Sequence, residues 1–265
     1  MSHNETTSAL LIRNDKDGIA TLTLNRPNAF NALSTGLMSA IQAELDAIAA
    51  DTSVRVVIIA GNGKAFCAGH DLKEMMADPG PEPTSRLLEQ CSHMMITLTR
   101  LPQPVIAKVH GIATAAGCQM VAQCDLAVAS ETATFATSGI GVGLYCGTPS
   151  VAVTRNLPRK QAMELLLTGE FIDAEKACQY GLINQSVPAA DLDAAVASLA
   201  SRIAAKGPVF IARGKALFYT QLEQGLEAAY EQASACMVEN MQDVEAQEGL
   251  KAFINKKPMP KWSDR

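Results

Sequence analysis

The segment 105–130, Val-Ile-Ala-Lys-Val-His-Gly-Ile-Ala-Thr-Ala-Ala-Gly-Cys-Gln-Met-Val-Ala-Gln-Cys-Asp-Leu-Ala-Val-Ala-Ser, constrains the chain more than any other. It reads as strand, small-residue turn, helix, strand. Residues 105–109 are apolar and rich in β-branched side chains, as a buried strand requires. Between Gly111 and Gly117 only Ile112 is bulkier than threonine, so backbone can approach something closely there. From Gly117 to Cys124 the composition is helical, which places unpaired N–H groups near Ala116 at a helix start, where partial positive charge collects. Such a terminus suits an oxyanion. Small residues before a helix also serve close packing alone, and this segment by itself does not separate the two uses.

A second segment, 61–75, reads Gly-Asn-Gly-Lys-Ala-Phe-Cys-Ala-Gly-His-Asp-Leu-Lys-Glu-Met, after an apolar strand at 54–60 and before another helix. Together the two resemble the crotonase superfamily of enoyl-CoA hydratases and isomerases, whose first motif, approximately Phe-x-x-Gly-x-Asp-Leu-x-Glu, is matched by Phe66, Gly69, Asp71, Leu72 and Glu74. The likeness runs from Leu22-Thr-Leu-Asn-Arg-Pro27 through Asn31-Ala-Leu33 to Glu248-Gly-Leu-Lys-Ala-Phe253. Within the superfamily, Gly69-His-Asp-Leu-Lys-Glu74, Ala113-Thr-Ala-Ala-Gly-Cys-Gln119 and Val142-Gly-Leu-Tyr-Cys146 resemble the enoyl-CoA hydratase domain-containing protein 3 subgroup.

The resemblance implies an α/β fold, a crotonase-type spiral of repeated ββα units followed by a C-terminal helical trimerisation region, with a core over residues 1–205 and an oligomerisation region over 206–265. It implies that the backbone N–H groups of His70 and Ala116 bind a thioester carbonyl oxygen and stabilise an enolate. Coenzyme A contacts are implied at Arg26, Ala29, Ala68, Asp71 and Leu72, with Phe253 and Lys256 approaching the adenine and 3′-phosphate in a neighbouring subunit. Coenzyme A enters as part of an acyl-CoA thioester substrate; no tightly bound cofactor and no metal are implied. The implied class is lyase or isomerase, in fatty acid metabolism, and the implied assembly is a homotrimer or a dimer of trimers.

The chain departs from the family at two points. Hydratases of the family use two glutamates, and those positions are Gln119 and Gly139 here. An amide can orient water but cannot exchange a proton near neutrality, and glycine carries no side chain. Standard hydratase activity is therefore expected to be weak or absent, and glutamate at both positions is expected to restore it. Two readings follow: an enzyme acting on an acyl-CoA through an enolate, or a non-catalytic acyl-CoA-binding or scaffold protein. Candidate replacements are His70, the one ring in these motifs that titrates near neutrality, and Tyr145 and Cys146, in the loop that supplies catalytic groups in relatives. His110 reads as structural, and Asp71 as a helix cap.

Elsewhere the pattern predicts strands at 10–13 and 19–25 joined by a turn at 15–18, and a helix from Ser34 to about residue 50 with Leu37, Ile41, Leu45 and Ile48 on its apolar face. Residues 78–83, Asp-Pro-Gly-Pro-Glu-Pro, predict a rigid loop before a helix at 84–100. Glycines at 139, 141 and 143 lack dinucleotide-fingerprint spacing, and Gly63-Lys64 lacks the phosphate-loop pattern. Strands are expected at 134–136 and 183–187 and helices at 147–156, 159–167, 191–205, 210–240 and 245–255. A net charge of -5 with no basic run gives no reason to expect nucleic acid. Seven cysteines without a C-x-x-C pair read as buried free thiols in a reducing compartment. Residues 1–8 lack the pattern of a secretory signal, and no apolar run is long enough to span a membrane, so a cytoplasmic, membrane-free protein is expected.

Overall fold

The structure, a computed structural model, describes residues 9–262; residues 1–8, on which the signal-peptide expectation rests, lie outside that range. Strands β1 (Leu11–Lys16) and β2 (Ile19–Leu24) form an antiparallel hairpin. The turn is tighter than predicted, because Asp17 and Gly18 both adopt positive φ, 52° and 75°. A two-residue turn of that hand matches the twist of its strands, so β1 continues to Lys16. Helix α1 (Thr35–Ala49) begins where the Ser34 side chain accepts from the Leu37 N–H, and buries Leu37, Met38, Ile41, Leu45 and Ile48. Strand β3 (Val56–Gly61) then lies beside β2 in parallel.

From here a unit recurs: a strand of a large sheet, a short strand of a small sheet, then helix. After β3 come β4 (Ala65–Cys67), α2 (Leu72–Ala77) and α3 (Pro81–Arg100). Next are β5 (Val105–Val109), β6 (Ile112–Thr114) and α4 (Ala116–Gln123). The third round is β7 (Leu126–Ser130), β8 (Thr134–Ala136), α5 (Gly147–Asn156) and α6 (Arg159–Thr168). Strand β9 (Ile172–Asp173), α7 (Ala174–Gln179) and β10 (Gln185–Val187) close it. The large sheet has the order β1-β2-β3-β5-β7-β10 and the small one β4-β6-β8-β9; all neighbours are parallel except β1–β2 and β8–β9. Parallel strands need both faces covered, which explains the near-continuous apolar runs of β3, β5 and β7. One face packs into the main core; on the other, Val56, Ile58, Ile106 and Val128 meet Leu192, Val196 and Ala200 of α8 (Leu192–Ala204).

Two helix predictions are corrected. Residues 78–83 are not all loop, since α3 starts at Pro81, where a first-turn proline loses no intrahelical hydrogen bond. The expected helix at 210–240 is two, α9 (Pro208–Gln221) and α10 (Leu226–Gln242), separated at 222–225 with Gly225 as the N-cap of the second. Helix α11 (Val244–Ile254) ends the tail. All seven cysteines are free, but Cys178 and Cys236 are only half-buried. His110 is structural, its Nε2 2.9 Å from the Gly63 carbonyl oxygen. Among the described residues no single helix is long and apolar enough to cross a membrane.

A buried charged group ties the tail to the core. Lys215 on α9 is 6% exposed at its side chain and pairs with Asp125 at 2.7 Å. Its ammonium also donates to the carbonyls of Leu98 (2.8 Å) and Gln103 (2.9 Å). Asp125 in turn accepts from the Val105 N–H (2.6 Å) and the Tyr219 hydroxyl (2.9 Å). Burial pushes the Lys215 pKa down while the Asp125 carboxylate opposes that shift. Removing one partner from a buried pair leaves the other uncompensated. Lys215→Ala should therefore lower stability by ~3–5 kcal/mol in denaturant unfolding; a loss within experimental error would show that this network does not hold α9 in place.

Candidate active site

Two glycines let the loops before α2 and α4 touch. A Cβ on Gly117 would lie 2.1 Å from the Cys67 carbonyl oxygen, so only glycine allows α4 to start against the end of β4. Gly69, at φ +90°, fits the reciprocal place: its Cβ would lie 2.9 Å from the Ala115 Cβ and 3.2 Å from the Ala116 nitrogen. Ala115 itself is held at φ 50°, ψ -118°, a backbone conformation that L-residues rarely adopt and that packing must impose. Its N–H donates to the Ala136 carbonyl and its carbonyl accepts from the Gln119 N–H, both at 3.0 Å.

This arrangement frees two donors. Leu33 donates to the Gly69 carbonyl (2.7 Å) and accepts from the Asp71 N–H (3.1 Å), a bridge that uses the residues on either side of His70. Among the described residues neither the His70 nor the Ala116 backbone N–H has a hydrogen-bond partner. Ala116 is the first residue of α4, so its N–H carries the positive end of that helix.

Both residues line a cavity of about 530 Å³, together with Ala68, Leu72, Ala115, Gly139, Tyr145 and Cys146. Met75, Leu88, Val142, Leu144 and Pro149 make most of the rest of its wall apolar. The His70 ring is poorly solvated, and among the described residues neither nitrogen meets hydrogen-bond geometry with a partner. Burial lowers its pKa from the ordinary imidazole value, against the opposing pull of the Leu33 carbonyl and the Glu74 carboxylate. Tyr145 is half exposed. Burial raises the Cys146 thiol pKa, partly offset by a hydrogen bond from the Gly139 N–H.

The two positions expected to stand where hydratases carry glutamate differ from each other. Gln119 is buried under the turn, with its Oε1 unpartnered among the described residues, and is not on the cavity wall. Gly139 is on the wall but closed over: the Leu144 N–H donates to its carbonyl at 2.9 Å. A Cβ at 139 would lie 2.5 Å from the Leu144 carbonyl oxygen and 3.0 Å from the Cys146 sulfur. Gly139→Glu therefore does not fit unless the backbone at Leu144 moves. Sequence reasoning missed this closure, and also the strain at Ala115; only the density of glycines at 139–147 signalled a tight loop.

The remaining predicted contact residues fall into two groups. Arg26 pairs with Asp71 at 2.9 Å and also donates to the Ala32 carbonyl. Asp71 caps α2 by accepting from the Lys73 (3.1 Å) and Glu74 (3.3 Å) N–H groups. The Arg26 hydrogen bond holds its carboxyl below the usual carboxylate range, with the cap bonds adding to the effect. Both residues thus brace the first donor loop. Ala29 ends the short helix Pro27–Ala29, and the Ala68 N–H donates to the Phe30 carbonyl at 3.0 Å. Leu72 is on the wall and 53% exposed. Phe253 and Lys256 lie at the exposed end of the tail and do not reach the cavity of their own chain.

Comparison with known proteins identifies the family and the fold. The family model described as Enoyl-CoA hydratase/isomerase matches residues 14–265. The rat protein "Enoyl-CoA hydratase domain-containing protein 3, mitochondrial" is 43% identical over 248 residues, 94% of this chain and 82% of its own length. The crystal structure of an enoyl-CoA hydratase from Mycobacterium smegmatis superposes with a TM-score of 0.94 at 51% identity, covering 96% of this chain and 99% of that one. Human enoyl-CoA hydratase domain-containing protein 3 superposes at 0.92 with 40% identity, covering 95% and 100%. The rat relative is mitochondrial by name, which overturns the cytoplasmic expectation. The crotonase fold is shown, and the chain belongs to the enoyl-CoA hydratase/isomerase family.

Proposed function

We propose that the cavity binds an acyl-CoA thioester with its carbonyl oxygen between the backbone N–H groups of His70 and Ala116, and stabilises the enolate formed when the α-carbon loses a proton. The observation that carries this reading is the pair of unpartnered donors on two loops locked together at Gly69 and Gly117. A preorganised donor pair aimed at developing negative charge is the usual source of such stabilisation. Hydration of a 2-enoyl group is not favoured, because among the described residues no carboxylate stands on the wall and the space beside Gly139 is filled by Leu144 and Cys146.

Proton exchange at the α-carbon falls to His70. Its ring shares a residue with one carbonyl donor, it lines the same cavity, and burial favours its neutral, proton-accepting form. Tyr145 is the second candidate on the wall. The oligomerisation region proposed over 206–265 is supported by α9 and α10, whose apolar side chains are mostly exposed or only partly buried in the single chain. They and the link between them expose Phe218, Leu222, Leu226 and Tyr230, each more than half accessible. Apolar surface of that extent marks association, and a trimer or paired trimers is the assembly proposed. Phe253 and Lys256 would then meet coenzyme A held by a neighbour.

Turnover of crotonyl-CoA should fall far below the ordinary enzyme range of ~1–10³ s⁻¹ in a spectrophotometric hydration assay; a rate within that range would place the acid and base elsewhere. His70→Ala keeps the backbone donor and removes the ring. It should leave acyl-CoA affinity nearly unchanged while slowing deuterium exchange at the α-carbon by ~10²–10⁴-fold. Exchange by the native protein should decline as pH falls through the His70 pKa, which burial lowers from the ordinary imidazole value; an unchanged profile in His70→Ala would remove His70 from that role. Light scattering at micromolar concentration should give a multiple of three chains, and a monomer would contradict the assembly.

A further inference from the structure

Of the seven free cysteines, only Cys146 stands on the cavity wall. It is 6% exposed and is the N-cap residue of α5, where no side-chain capping bond forms. A short chain of contacts ties it to the donor pair. The Ala115 N–H donates to the Ala136 carbonyl at 3.0 Å, and the Thr114 and Ser138 hydroxyls lie 2.7 Å apart, so the segment after β8 starts against the turn that presents Ala116. One residue on, the Gly139 N–H donates to the Cys146 sulfur. That sulfur therefore borders the same enclosed volume as the two free donors and the His70 ring, whose nitrogens are withdrawn from water and unpartnered among the described residues. The enolate chemistry proposed above makes no use of it.

We infer that the Cys146 thiol adds reversibly to the β-carbon of a 2-enoyl thioester held by the two donors, so that the site captures unsaturated acyl groups covalently. The inference rests on the acyl-CoA reading above and adds a covalent step to it. Polarisation of the carbonyl by two N–H groups draws electrons from the conjugated double bond and leaves the β-carbon electrophilic. A thiol is intrinsically a strong nucleophile, and a neighbouring base completes its activation by taking the proton. Burial raises the Cys146 pKa, so the sulfur arrives protonated; burial also keeps His70 neutral and able to accept that proton. The bond from sulfur to the β-carbon forms, the double-bond electron pair moves into the enolate on the carbonyl oxygen, and the proton passes from sulfur through His70 to the α-carbon. No group leaves and nothing is oxidised or reduced; the product is a 3-thioether of the saturated acyl-CoA. In reverse, His70 takes the α-proton, the sulfur departs, and the enoyl thioester is released.

The test is intact-mass spectrometry of the full chain, acid-quenched after incubation with trans-2-octenoyl-CoA or with octanoyl-CoA, alongside titration calorimetry of both ligands. The enoyl thioester should give one adduct, heavier by the whole ligand, that maps to Cys146, is absent in Cys146→Ser, and forms ~10²–10⁴-fold more slowly in His70→Ala. Octanoyl-CoA should bind without adding mass, and in excess it should protect the native protein from octenoyl-CoA. Binding of both thioesters with no adduct would overturn the inference and leave the acyl-CoA reading intact; binding of neither would overturn both. A gain equal to the acyl group alone, with coenzyme A released, would place the attack at the carbonyl carbon and contradict the inference. So would an adduct at Cys178 or Cys236, the half-buried cysteines away from the cavity, or one that octanoyl-CoA does not suppress. The protection experiment uses the native protein and decides the matter even where Cys146→Ser does not fold.

Discussion

The contact between Gly117 and the Cys67 carbonyl is the constraint on which the site depends. Because α4 begins with no Cβ at that point, its first turn sits directly on the end of β4, and the donor loops that follow β4 and β6 share one wall. The smaller sheet supplies the register: β4 pairs with β6, and β6 with β8, all parallel. Thus the spiral delivers three loops to one place, two with free N–H groups and the third with Gly139, Tyr145 and Cys146. The strain at Ala115 is a consequence, since the chain must turn sharply enough for Ala116 to open a helix while Ala115 still bonds to β8.

The chemistry follows from what the third loop does. In a cavity with two carbonyl donors, the reaction is decided by which groups can move protons near the α- and β-carbons. Here Leu144 and Cys146 fold back over Gly139, and Gln119 is withdrawn from the wall. In the function proposed above, water activation has neither of its partners while carbonyl polarisation keeps both of its own. Under the proposed function the difference lies in the backbone path of residues 138–147 and not only in two side chains.

Much of this was legible in the sequence where local chemistry decides structure. Ser34 and Asp71 read as caps because a short polar side chain precedes an apolar helical run, and each is a cap. The two donor loops were legible from small residues ahead of helices. The start of α3 was not, because Pro81 and Pro83 suit both a rigid loop and a first helical turn. The break at 222–225 was signalled only by Gly225, which a helix of that composition could have carried. The recurring ββα unit left no repeat in the residues, since each round buries different side chains against the same core. The closure over Gly139 was least legible of all: it depends on where the Leu144 carbonyl lies, a property of tertiary path and not of residue type.

The central claim is that two backbone N–H groups, from His70 and Ala116, hold a thioester carbonyl oxygen. Isotope-edited infrared spectroscopy of octanoyl-CoA labelled with ¹³C at the carbonyl reads that contact without reference to any turnover. A bound carbonyl accepting two hydrogen bonds is polarised, so its stretching band should move to lower frequency than in free octanoyl-CoA, and Gly117→Ala, which forces the donor loops apart, should reverse most of the shift. A band that stays at its solution frequency in a saturated complex would contradict the account.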